Sequence, residues 1–150
     1  MKQELKEIVG YLPYGVKCYS VSDNEVFIDE IKTLNIVYNI IEVVEGVEFN
    51  VDDIVLILRP LSDLTKEITV NGETFVPIEE IKKISCSSLE VYKPISIDSK
   101  IEFNIYTGNY SVEIDLFEGC LIKDKLQEWH FDIHNLIEQN KAIDINTLEK

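Results

Sequence analysis

The period of the hydrophobic positions changes several times along this chain, and each change marks an element. Leu5, Ile8 and Val9 recur at helical spacing among lysines and glutamates, which predicts a short helix over residues 2–10. Gly10 stops it, and Pro13 with Gly15 marks a turn. Val16 to Ser20 and Glu25 to Ile31 read as strands about a Ser22-Asp23-Asn24 turn. Residues 34–49 are rich in isoleucine, valine, phenylalanine and tyrosine and are broken at Glu45-Gly46, which predicts another strand pair. The continuous apolar run Ile54 to Leu58 fits a strand buried on both sides and ends at Arg59-Pro60. Ser62 to Leu64 then forms a turn or a single helical turn.

Two hairpins carry turn chemistry. Glu67 to Val76 folds about Asn71-Gly72, a pair suited to a type I′ turn because both positions need positive φ. A two-residue loop sets Val70 opposite Glu73, Thr69 opposite Thr74 and Ile68 opposite Phe75. Ile101 to Leu116 folds about Gly108-Asn109 and pairs Ile105 with Val112, Phe103 with Ile114 and Ile101 with Leu116. Asn104 with Glu113 and Glu102 with Asp115 would then occupy the outer face.

Pro77 to Ile84 predicts a helix opened by proline, with Ile78, Ile81 and Ile84 on one side. The longest helix is expected over Leu121 to Asn140, with a stripe running through Ile122, Leu126, Trp129, Ile133, Leu136 and Ile137. Trp129 would anchor it on a sheet and Asn140 would cap it. Ala142 to Leu148 reads as an edge strand or docked tail. The fold class expected is therefore α+β. It has an antiparallel sheet of hairpins packed on a long C-terminal helix, with short additional helices, in one domain over residues 1–150.

Charge changes the picture most. The 150 residues hold 14 lysines and arginines against 28 aspartates and glutamates, a net charge of -14. Between Asp23 and Asp53 stand nine acids (Asp23, Glu25, Asp29, Glu30, Glu42, Glu45, Glu48, Asp52 and Asp53) and one base, Lys32. Such a surface repels nucleic-acid phosphates and anionic membranes and favours a basic protein partner. A solvated face that serves solubility is the plainer reading of the same residues. No apolar run approaches the ~20 residues of a spanning helix, and the N-terminus lacks a signal-peptide pattern. A cytoplasmic location is expected. Cys18, Cys86 and Cys120 are odd in number and scattered, so they read as reduced, core or half-buried thiols.

Candidate chemistry is sparse. His130 and His134, four apart on the expected helix, would share a face, with Glu138 a further turn on. Phe131 follows the first histidine where a zincin places its glutamate, so the general base is missing. Surface or boundary histidines are the simpler reading. Tyr11 and Tyr14 flank the Pro13 turn and would stack on a ligand or seal a core edge. Arg59, the sole arginine, suits a bidentate structural pair with a carboxylate or partner recognition. No phosphate loop, dinucleotide fingerprint, nucleophile elbow or EF-hand pattern occurs. No catalytic residue, cofactor or bound metal is expected.

The segments YLPYGVK (Tyr11 to Lys17), ILRPLSDLTKEI (Ile57 to Ile68) and LQEWHFDIHNLIEQNKAIDINTLE (Leu126 to Glu149) resemble a group of short proteins encoded by phages and prophages of Bacteroidetes. Asn140 stands where that group's pattern places glycine. The resemblance implies a phage context, with the cytoplasm of a bacterial host or a virion as the location, and carries no activity, cofactor or site residue with it. The function expected is a non-enzymatic accessory protein acting by protein binding through its acidic face. The alternatives are a small metal-dependent hydrolase at His130 and His134, and a structural or oligomerisation module of phage assembly.

Overall fold

A computed structural model describes residues 4–84, 102–103, 112–113 and 116–148. The elements in chain order are α1 (Leu5–Val9), β1 (Lys17–Ser22), β2 (Glu25–Asn35), β3 (Ile40–Val43), β4 (Glu48–Asn50), β5 (Ile54–Leu58), β6 (Ile68–Val70), β7 (Glu73–Phe75), α2 (Pro77–Ile84), β8 (Glu102–Phe103), β9 (Val112–Glu113), α3 (Leu116–Glu128) and β10 (Ala142–Asp144). Short 3-10 turns occupy Leu12–Tyr14, Val51–Asp53, Leu61–Thr65 and Ile145–Thr147. The protein is α+β with a mostly antiparallel sheet. It divides into two compact units, residues 1–60 with 127–150, and residues 61–126.

The first unit is built on a sheet in the order β10-β5-β1-β2-β3-β4. β10 runs parallel to β5, and every other neighbouring pair is antiparallel. Asp23 and Asn24 both take positive φ, at 51° and 66°, as a two-residue turn of right-handed twist demands. Along β1 and β5, Cys18, Ser20, Ile54 and Leu56 point inward and are buried, so Tyr19, Val21 and Val55 face out.

This sheet folds over on itself. Leu34 pairs with Ile41, and Ile41 with Phe49, so Phe49 is level with Leu34 across the strands. Phe27 lies seven residues back along β2, which in a flat sheet is about 23 Å away. Its ring instead meets Phe49 with centroids 5.4 Å apart. The register of β2 shifts between Ile31 and Thr33, a bulge that supplies the bend. The enclosed core holds Cys18, Ile31, Ile41, Val43, Val51, Ile54, Leu56 and Leu58 beside Ile8, Tyr11 and Leu136.

The second unit contains the β6–β7 hairpin, in the register read from its Asn71-Gly72 turn: Ile68 with Phe75, Thr69 with Thr74, Val70 with Glu73. The threonine hydroxyls meet at 2.8 Å. Helix α2 has the predicted bounds, and Ile78 and Ile81 are buried.

Five expectations are corrected. The helix over Leu121 to Asn140 ends at Glu128, and His130, Asn135 and Asn140 adopt left-handed φ of 59°, 57° and 56°. Three such residues within a dozen are incompatible with a right-handed helix, so the apolar stripe past Leu126 belongs to a chain of turns. Trp129 is buried beyond the helix end, not in its middle. Ile36, Val37 and Tyr38 form the turn between β2 and β3 and stand 64%, 85% and 70% exposed, so strand-forming residue types fill a loop there. Strands β8 and β9 pair Phe103 with Val112, not Ile114. A slip of two residues keeps every side chain on its face, so alternation could not detect it. The remaining positions of that hairpin, Gly108-Asn109 included, and Cys86 lie outside the described residues. Cys120 is exposed, not core.

Truncating the centre of the first core should be costly. Leu56→Ala is expected to lower the unfolding free energy by about 2–5 kcal/mol, whereas Val37→Ala should change it by less than about 0.5 kcal/mol. Urea unfolding followed through Trp129 fluorescence measures both.

Candidate functional site

Stretches of chain about Tyr11, Arg59 and His130, far apart in sequence, meet in one place. Tyr11 is fully buried, and its hydroxyl donates to the Phe131 carbonyl at 2.8 Å and accepts from the Ile133 amide at 3.3 Å. Desolvation pushes the phenol pKa far up, so it stays protonated as a donor. His130 Nε2 lies 2.7 Å from the Tyr14 carbonyl, so this nitrogen carries the proton and donates. The Arg59 amide donates to His130 O and its carbonyl accepts from the Asp132 amide, both at 2.8 Å. Asp132, 4% exposed, turns back to accept the Leu136 and Ile137 amides on its two carboxylate oxygens at 2.8 Å each.

Around this knot, Lys141 Nζ reaches Glu7 at 3.0 Å in a largely buried pair. A Cβ on Gly10 would fall 1.8 Å from the amide end of the buried Gln127 side chain, which would have to turn aside. Tyr11, Tyr14, Arg59 and His130 are thus engaged in joining the N-terminal turn to the 129–141 segment. His134 stands edge-on to the Tyr11 ring at 6.4 Å. The two histidines do not share a helical face, because no helix runs through them. Glu138 is exposed and accepts from Asn135. The arrangement is structural chemistry, and the shared helical face that would have let the two histidines act together on a metal is not formed.

The acids between Asp23 and Asp53 separate into groups. Asp29 spends both oxygens on backbone, accepting from the Glu30 and Glu45 amides at 2.7 and 2.8 Å, which ties β2 to the β3–β4 turn. Glu30 lies against Gly15, whose Cβ would come 2.6 Å from the carboxylate. Glu42 pairs with Lys32 at 3.0 Å, and that ammonium holds its carboxyl below the ordinary value. Asp23 and Glu25 flank the β1–β2 turn. Glu48 and Asp53 border a cleft of about 400 Å³ between β1 and β4, with Tyr19, Val21, Phe49 and Val55 among its walls.

Sequence patterning missed the outer face beside that cleft. Tyr19 is level with Ile28 on one side and Val55 on the other, and Val21 is level with Val26. Val21, Val26 and Ile28 are 56%, 58% and 48% exposed. Outward positions of a one-sided sheet are ordinarily polar. Five apolar side chains in two adjacent rows, bordered by Asp23, Glu25, Glu48 and Asp53, make a surface suited to contact. The signal was present in Tyr19, Val21, Val26 and Ile28, which keep both strand faces apolar, but only the register shows them to be adjacent. Cys18 lies beneath on the inner face, where burial raises its thiol to about 11 and leaves it unreactive at neutral pH.

Removing the Tyr11 hydroxyl orphans a buried carbonyl, so Tyr11→Phe should destabilise by about 1–3 kcal/mol with the fold retained, as read by urea unfolding and circular dichroism. His130 is held neutral, chiefly by burial, its pKa lying below 6.5. The unfolded chain therefore takes up that proton first, and stability present above pH 6.5 declines as pH falls toward the folded-state value. His130→Asn, which tolerates left-handed φ, should flatten this part of the pH–stability curve relative to the native chain. Compared with known proteins, the chain matches no family model, no curated protein and no solved structure.

Proposed function

We propose that this chain is a non-enzymatic accessory protein, of the phage and prophage group its motifs resemble, that acts by binding a basic protein partner. The observation that carries this reading is the outer face of β5, β1 and β2, where Val55, Tyr19, Ile28, Val21 and Val26 form an apolar patch inside an acidic border. Apolar centre and charged rim is the anatomy of a protein interface. The net charge of -14 adds long-range attraction for a cationic partner. Among the described residues, Asp23, Glu25, Glu48 and Asp53 form no ion pair, so their charge is available to a partner. The resemblance motifs support the fold more than the surface, since Tyr11, Arg59 and Asp132 are committed to the knot.

Affinity capture from bacterial lysate tests this at low and high salt, with the native chain and an Ile28→Asp/Val26→Asp variant. A basic protein retained at low salt, released at high salt and lost in the variant is the expected result. Identical proteins on both columns would remove this face as the binding surface. A native dimer that the variant converts to a monomer in light scattering would reassign the patch to self-association.

A further inference from the structure

We propose that the cleft between β1 and β4 receives an extended peptide segment of the partner, one that alternates basic and apolar residues. This rests on the protein-binding reading and specifies its contact. The cleft is bordered by strand edges that no other described strand covers. Among the described residues, β4 lies at the end of the sheet order with β3 as its sole strand neighbour. β5 begins opposite Ser20, so Val21 and Ser22 have a strand neighbour on the β2 side only. Glu48, Phe49 and Asn50 of β4 line the same space as Val21 and Ser22. An open edge offers backbone donors and acceptors to an added strand.

The side chains indicate what that strand carries. Successive residues of an extended peptide point to opposite sides. Tyr19, Val21, Phe49 and Val55 offer apolar wall to one set. Glu48 and Asp53, both exposed, offer carboxylates to the other. Neither carboxylate has an ion-pair partner among the described residues, so a lysine or arginine in the cleft displaces no internal cation. The volume, about 400 Å³, suits a few side chains and is far too small for a folded element. An acidic peptide would meet two like charges at the rim and is disfavoured.

The test titrates the isotope-labelled full chain with three six-residue peptides while amide resonances are followed by NMR. One alternates arginine with valine, one arginine with glycine, and one glutamate with valine. The arginine–valine peptide should give saturable shifts at Val21, Ser22 and Glu48 to Asn50. The arginine–glycine peptide, of equal charge, should bind about ten-fold more weakly, and the glutamate–valine peptide should not bind. A Glu48→Gln/Asp53→Asn variant, altered only at exposed positions, should lose about five-fold in affinity with an unchanged unfolding midpoint. Equal binding of both arginine peptides, shifts scattered over the acidic surface, or indifference to the variant would overturn the assignment. If the peptides fail while partner capture remains sensitive to Ile28→Asp/Val26→Asp, the cleft inference falls and the broader reading stands. If capture is insensitive to both variants, this face is removed as the binding surface and the cleft inference falls with it; if no basic protein is captured at all, the binding reading itself falls.

Discussion

The hydroxyl of Tyr11 is shared between the Phe131 carbonyl and the Ile133 amide, and the first unit is organised around that bond. The chain begins and ends in this unit, with residues 61–126 intervening. Something must hold the returning segment in place, and 129–141 has no helix of its own to do so. Tyr11, the Tyr14 carbonyl, the Arg59 backbone and the Glu7 carboxylate hold it between them at points from His130 to Lys141. Once pinned, the segment delivers β10 to the side of β5 away from β1, where the two strands run parallel. The Tyr11 hydroxyl, the Asp132 carboxylate and the Arg59 backbone amide and carbonyl are all satisfied in a largely buried place, where an unmade bond costs more than a made one contributes.

The bend of β2 is the second constraint, and it creates the candidate surface. A bulge between Ile31 and Thr33 lets one long strand serve two halves of a curled sheet. Curling brings Phe27 to Phe49 and closes the inner core. It also carries β4 round until its free edge borders the cleft with β1. The same geometry leaves the outside of β1 and β2 uncovered. Exposed valines there add nothing to the core, and their cost in solubility is offset by the surrounding carboxylates.

The residues most conspicuous as motifs and the residues most available for function are different sets. Tyr11, Arg59, His130 and Asp132 are rare or clustered types, yet their contacts are internal. Tyr19, Val21, Val26 and Ile28 are unremarkable as types and become notable only when register places them side by side. The acids behave similarly. Asp29 is a backbone clamp, Glu42 is paired, and only some of the group, Glu48 and Asp53 among them, face a cavity.

Local chemistry determined what local sequence can determine. The Asn71-Gly72 turn set its hairpin register, Pro77 opened its helix, and the run Ile54 to Leu58 formed the buried strand its composition implied. Each depends on interactions within a few residues or on burial of a whole segment. The long helix failed for a complementary reason. Its stripe reports only that Ile133, Leu136 and Ile137 approach apolar surroundings, which turns achieve as well as a helix does. The decision lay with Tyr11 and Arg59, whose bonds to 130–133 come from sequence positions far away, helped locally by the Asp132 carboxylate, which takes the Leu136 and Ile137 amides. The same holds for the acidic surface. Net charge is additive and therefore legible in the sequence, but which carboxylates reach solvent together is set by the curl of the sheet.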